Sequence, residues 1–150
     1  MKRKAMNRFV LTVESRSANE GFARLVASGF AAQLDPTVEE LCDIKTAVSE
    51  AVTNCIVHAY PEGLGEIRVT GEVFENGIIR IRVKDKGRGI EDLAQAMQPL
   101  YSSLGGERAG LGFAVMESFC DKLSVKSKPG KGTCVTLEKQ IQGKQLVRNG

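Results

Sequence analysis

The chain has a single histidine, no C-x-x-C pair among its four cysteines, no long apolar run and no block of like charge. Each absence removes a class of function. Cys42, Cys55, Cys120 and Cys134 lie far apart with only His58 to join them, so a zinc site has no support. The cysteines fall among apolar neighbours and read as small core residues in a reducing compartment rather than as disulfides. No segment approaches the roughly 20 apolar residues that span a bilayer. Met1-Lys2-Arg3-Lys4 leads into no apolar signal region, so a soluble, cytoplasmic protein without membrane contact is expected. The 21 basic residues exceed the 18 acidic ones by only three and are spread along the chain, which gives direct nucleic-acid binding no support. Neither Gly130-Lys131-Gly132 nor Gly143-Lys144-Gln145 completes a Walker A loop; no G-x-G-x-x-G follows a strand, and there is no H-R-D loop.

At 150 residues and 42% hydrophobic composition, the chain fits one globular domain. Alternation of Phe9, Leu11 and Val13 predicts a first strand over 8–13. Ser17-Ala18-Asn19-Glu20 has capping-box spacing, and Phe22, Leu25, Val26, Gly29 and Phe30 continue a helix from it. Asp35-Pro36 breaks that helix. Thr37-Val38-Glu39-Glu40 repeats the box for a second, largely buried helix reaching about His58. Residues 67–74 and 78–85 read as a hairpin turning at Glu75-Asn76-Gly77, with Ile79, Ile81 and Val83 alternating with Arg80, Arg82 and Lys84 as in a sheet covered on one face. Glycine-rich, polar sequence follows from Lys86 to Gly110, broken by an apolar stretch around Leu93 to Met97; a connection this long is usually functional or disordered. A short apolar helix over 111–119 and a final hairpin around Pro129-Gly130-Lys131-Gly132 complete the domain at residue 138. Residues 139–150 read as a polar, frayed tail.

Three segments carry chemistry. Glu50, Asn54 and His58 recur every fourth residue and share one face of the second helix. Such a triplet is also what a solvated face looks like, but small and apolar neighbours place this stripe at the border of the interior, where its polarity needs a partner. His58, near a helix end, has no assigned role. Asp85-Lys86-Gly87-Arg88-Gly89-Ile90 sets an acid at the end of an apolar strand before two glycines. The pattern is common in turns, yet the acid can accept a hydrogen bond from an exocyclic amine such as that of adenine, and glycines let a base approach. Gly105-Gly106-Glu107-Arg108-Ala109-Gly110-Leu111-Gly112 runs glycines into an apolar helix, offering unpaired helix-start amides to phosphate oxygens.

Taken in order, Glu50-x-x-x-Asn54, Asp85-x-Gly87-x-Gly89, Gly110-x-Gly112 and Gly132-Thr133 match the boxes of the GHKL superfamily, and their joint order is far more specific than any single box. Within it the chain closely resembles the anti-sigma F factor family of endospore-forming bacteria over about residues 7 to 138. Further matches are Ser17-x-Asn19-Glu20-x-Phe22-Ala23-Arg24, Gln33-Leu34-Asp35-Pro36-Thr37, Ile44-Lys45-Thr46, Val48-Ser49-Glu50-Ala51-Val52-Thr53-Asn54 and Gln98-Pro99-Leu100. The resemblance implies a Bergerat-type α/β two-layer sandwich, with a mixed, mostly antiparallel sheet, helices on one face and a mobile lid over ATP. It implies ATP and Mg2+ as cofactors, Asn54 as the magnesium ligand, Glu50 as general base, and Asp85 with Thr133 at the adenine. Gly87, Gly89, Gly110, Leu111 and Gly112 belong to the same ATP frame. Arg108 matches a lid arginine that can reach the terminal phosphate; an exposed loop charge is the alternative. Glu20 and Arg24 match positions that contact both the sigma factor and its antagonist, although an ordinary i,i+4 surface pair has the same spacing. The lid departs from the family pattern: Tyr101-Ser102-Ser103-Leu104-Gly105-Gly106 stands in place of a threonine-rich, proline-containing stretch.

The expected protein is therefore a cytoplasmic, homodimeric serine kinase. It transfers phosphate from ATP to a serine of the anti-sigma factor antagonist, and it holds the sporulation sigma F factor inactive while ATP is bound. One alternative is a stress-response switch kinase acting on another sigma factor. A second is a nucleotide-dependent binding module without kinase activity. The absence of a transducer domain and of a dimerisation helix with a phosphoacceptor histidine argues against an ATPase clamp or a sensor histidine kinase fragment.

Overall fold

The computed structural model describes residues 4–61, 63–90 and 106–143, with the backbone alone for 106–112. Strands β1 (Ala5–Glu14), β2 (Glu66–Phe74), β3 (Ile78–Asp85), β4 (Lys122–Lys128) and β5 (Gly132–Gln140) form one five-stranded sheet in the order β1-β2-β3-β5-β4. Every pairing among the described residues is antiparallel. Helices α1 (Ala18–Ala31), α2 (Val38–Asn54) and α3 (Gly106–Phe119) pack as a second layer. The expected two-layer sandwich is what the chain adopts, with a sheet that is antiparallel throughout the described residues where a mixed one was expected.

Period-two alternation decides which side of the sheet meets the helices. In β3, Ile79, Ile81 and Val83 are buried beneath α2, while Arg80, Arg82 and Lys84 point outward. Strand register then sets Glu72, Arg80 and Glu138 side by side on the outer face. Arg80 lies 3.8 Å from Glu72 and 3.5 Å from Glu138, and its guanidinium stacks over Phe74. The hairpin turn falls where Glu75-Asn76-Gly77 predicts it, with Gly77 at φ +84°.

Helix α1 departs from expectation in two ways. Ser17 itself has helical backbone angles, φ −57° and ψ −32°, so its hydroxyl makes no cap bond and the predicted capping box does not form. The side chain of Glu20 is instead taken by Arg24 and by the Ser49 hydroxyl of α2. The buried stripe is also made of small residues, Ala23, Ala27 and Ala31, which bring α1 close to α2. Phe22 and Leu25, placed on the apolar stripe by their helical spacing, are 47% and 68% exposed. Phe30 does turn inward, meeting Phe9 of β1 edge-on at 4.7 Å between ring centres.

The second capping box forms as predicted: Thr37 Oγ1 accepts from the Glu40 amide at 3.1 Å, and the Thr37 amide donates to Glu40 Oε1 at 3.0 Å. Glu40 does more than cap. Its carboxylate also accepts the Gln142 amide at 2.6 Å and the Gly143 amide at 3.1 Å, and Ile141 is buried with its amide on Gly77 O. The segment read as a frayed tail from Lys139 is thus folded through residue 143. One carboxylate joins the start of α2 to the residues that follow β5, while residues 144–150 lie outside the described residues.

Burial raises the Glu40 pKa, but the amides of Thr37, Gln142 and Gly143 and the Thr37 side chain outweigh it, leaving a value below the ordinary 4.5. A depressed folded value means the stabilisation is complete above the unfolded value and disappears as pH falls through the folded one. Glu40→Gln should therefore lower urea-measured stability by about 1 kcal/mol at pH 7. The gap between variant and native protein should close on acidification below 4.5; a gap that stays constant to pH 3 would show the charge is not involved.

Candidate nucleotide site

Glu50 and Asn54 lie one turn apart at the end of α2, as their spacing requires. Immediately after Asn54 the helix widens into a π turn, Cys55–Ala59, where sequence periodicity predicted an unbroken α-helix to His58. His58 lies within that turn, and the buried thiol of Cys55 at its start meets Asp85 at the end of β3. Glu50 makes no hydrogen bond or ion pair with the described residues. The Asn54 amide nitrogen is enclosed without a hydrogen-bond partner among the described residues. An enclosed polar atom left unpaired is costly and marks a place where a ligand can complete the structure.

Asp85 ends β3 and is only 5% exposed. Its Oδ1 accepts the Gly87 amide at 2.9 Å and the Thr133 amide at 3.2 Å, while Oδ2 accepts the Cys55 thiol with sulfur at 3.4 Å. Asp85 and Thr133 are direct cross-strand partners. The Thr133 hydroxyl shares a hydrogen bond of 2.8 Å with Ser127, whose Oγ also accepts the Ile90 amide at 2.9 Å. Burial, and after it the nearby Asp85 carboxylate, push the Cys55 thiol well above the usual thiol value, so it remains a donor. Tyr60 braces the same region: its hydroxyl donates to Glu66 O at 2.6 Å and accepts the Lys86 amide at 2.7 Å.

Gly87 and Gly89 are also required by the backbone around them. A Cβ on Gly87 would sit 2.2 Å from Ala59 O, and one on Gly89 would sit 2.0 Å from Lys128 O. The chain after β3 threads between the π turn and the β4–β5 turn, held by Arg88 N–H on Ala59 O at 2.9 Å and Gly130 N–H on Arg88 O at 2.7 Å. Backbone meets backbone there, and Gly89 also needs φ +71°.

The sequence model of the histidine kinase-like ATPase domain matches residues 13–139. Anti-sigma F factors are similar over nearly the whole chain. That of Caldanaerobacter subterraneus is 56% identical over 90% of this chain and 94% of its own, and that of Geobacillus stearothermophilus 46% over 95% and 99%. The chain belongs to the anti-sigma F factor family of histidine kinase-like ATPase domains. In fold it is also similar to the RsbU and RsbW domains of a Mycobacterium tuberculosis protein, with TM-score 0.67 at 19% identity, covering 91% of this chain and 33% of that one. A histidine kinase domain from Erythrobacter litoralis gives TM-score 0.58 at 21% identity, covering 87% of this chain and 65% of that one.

Within this ATPase-domain fold, the end of α2, the end of β3 and the start of β5 bring Asn54, Asp85 and Thr133 into one region, joined through Cys55. The glycine segment differs from expectation at its start: among the described residues α3 spans Gly106–Phe119, so Gly110 is helical rather than part of a loop, while Leu111 and Gly112 fall inside the helix the sequence predicts over 111–119. Residues 101–105 of the expected lid and the apolar stretch of residues 93–97 lie outside the described residues. Cys55 is the residue at this site that composition hid, because a buried thiol among apolar neighbours reads as packing. Of the other cysteines, Cys42 is exposed rather than in the core.

Backbone crowding and backbone angle can be separated by substitution. Gly89→Ala meets both, whereas Gly130→Ala meets a positive φ of 75° but open space. Gly89→Ala should cost on the order of 3 kcal/mol and Gly130→Ala about 1 kcal/mol in denaturant unfolding. Equal costs would show that the Gly89 contact with Lys128 relaxes freely.

Proposed function

We propose that the protein is a cytoplasmic, homodimeric anti-sigma factor and serine kinase. It binds ATP with Mg2+, phosphorylates a serine of an anti-sigma factor antagonist, and holds sigma F factor inactive in its nucleotide-bound state. The observation that carries this reading is the buried Asp85 carboxylate, oriented by donors from three chain segments, with the Asn54 amide nitrogen and Glu50 both without a partner among the described residues. The names of the similar anti-sigma F factors supply the sigma factor.

Asp85 accepts the exocyclic amine of adenine, with Thr133 beside it. Asn54 supplies the neutral oxygen ligand suited to magnesium, a metal that keeps several waters and neutralises phosphate charge. Glu50 takes the proton of the attacking serine hydroxyl, one helical turn from Asn54. Gly110 and Gly112, lacking side chains, let the phosphates approach α3 beside Leu111, and the Arg108 cation neutralises their charge. Protein partners dock on α1, where Glu20 and Arg24 form an ion pair of 3.5 Å next to exposed Phe22 and Leu25. A surface joining exposed apolar groups to a charged pair fits a protein contact better than open solvent.

Incubation with γ-labelled ATP and antagonist tests the kinase reading directly. Label should pass to the antagonist; no transfer with sigma F binding intact would leave a nucleotide-dependent binding module in its place. Glu50→Gln should reduce transfer by on the order of a hundredfold or more while ATP affinity holds. Transfer persisting within a few-fold would remove Glu50 as the base.

A further inference from the structure

The nucleotide reading leaves one group at the site without a task, the Cys55 thiol. Asp85 Oδ1 already accepts two amides, from Gly87 at 2.9 Å and Thr133 at 3.2 Å, so its lone pairs are committed to the protein. Oδ2 accepts from Cys55 Sγ, at 3.4 Å, and this is its one donor among the described residues. A carboxylate oxygen has two lone-pair directions. With the thiol on one of them, a single direction at Oδ2 remains open.

We propose that Cys55 is a positioning residue for purine selection: its S–H fills one lone pair of Asp85 Oδ2 and leaves the other for the amino group of a 6-aminopurine. The proposal rests on the nucleotide reading above and adds to it the residue that makes Asp85 selective. Cys55 suits the task because the π turn fixes its backbone. Its amide neighbour Asn54 closes α2, and four residues later Ala59 O holds the Arg88 amide at 2.9 Å, so the thiol and the Asp85–Gly89 segment are parts of one rigid corner. A carboxylate whose other acceptor sites are all filled presents only an acceptor to the base. It welcomes an amine and repels the carbonyl of a 6-oxopurine. Without the thiol, Oδ2 keeps a buried, unfilled lone pair, and the carboxyl group is free to tilt or to recruit water.

Calorimetric titration of the full chain with Mg2+ and either ATP or purine riboside 5′-triphosphate, which lacks the amino group, separates selection from general packing. Native protein should prefer ATP by roughly tenfold. Cys55→Ala should lose most of that preference by weakening ATP, leaving purine riboside triphosphate within about twofold. Cys55→Ser, which restores a donor, should recover it. Cys55→Val fills the thiol's space without a donor and should behave as Cys55→Ala does, which covers the case of an alanine cavity that unfolds the protein. Equal weakening of both nucleotides in the alanine and valine variants, or an unchanged preference, overturns the role assigned to Cys55. No preference in the native protein, matched by Asp85→Asn, instead overturns the adenine reading of Asp85 and the Cys55 role with it.

Discussion

A carboxylate buried to 5% exposure is the constraint around which the rest of the site is arranged. A carboxylate removed from water is tolerated when hydrogen-bond donors compensate it. Three segments each give Asp85 a donor: the Gly87 amide after its own strand, the Thr133 amide of the neighbouring strand, and the Cys55 thiol of the π turn. The antiparallel register that pairs Asp85 with Thr133 is therefore part of the site, as is the widening of α2 after Asn54. Changing any of the three segments leaves a buried charge short of a partner.

Crowding follows from that arrangement. To bring the chain past Asp85, residues 86–90 run directly against Ala59 and Lys128, leaving no room for a Cβ at Gly87 or Gly89. Tyr60, bonded to both Glu66 and Lys86, ties the loop after the π turn to the same corner. At the opposite end of α2, Glu40 links the helix start to residues 142 and 143. Both ends of the helix that carries Glu50 and Asn54 are thus fixed by polar contacts, and its middle by the buried Ile44, Val48 and Val52. Rigidity of this kind is what holding a ligand-binding side chain within a fraction of an ångström demands.

Helix α1 belongs to a different regime. It approaches α2 through alanines and presents Phe22, Leu25 and Arg24 outward, with Glu20 tied to Ser49 beside Glu50. An exposed helix face and the residue before the proposed base are therefore linked by a single hydrogen bond. The sequence spacing of Glu20 and Arg24 is that of any surface ion pair; the contact to Ser49 distinguishes it.

Local rules were legible from the amino acids alone. Alternation in β1 and β3 named the buried faces, Asn76-Gly77 located the hairpin turn, and Thr37 with Glu40 marked the start of α2. Each depends on residues close in sequence, where backbone geometry dictates the answer. The order of Glu50, Asn54, Asp85 and the glycines likewise pointed to the family without coordinates. Tertiary structure decided what depends on distant neighbours. It showed that small alanines, not large Phe22 and Leu25, make the α1 interface, since close helix packing rewards missing volume. It gave Glu20 a contact to Ser49 where a Ser17 cap was expected, and it held residues 142 and 143 on Glu40. It also gave Gly87 and Gly89 a backbone reason and turned Cys55 from core filling into a hydrogen-bond donor, because only the folded chain brings residue 55 beside residue 85.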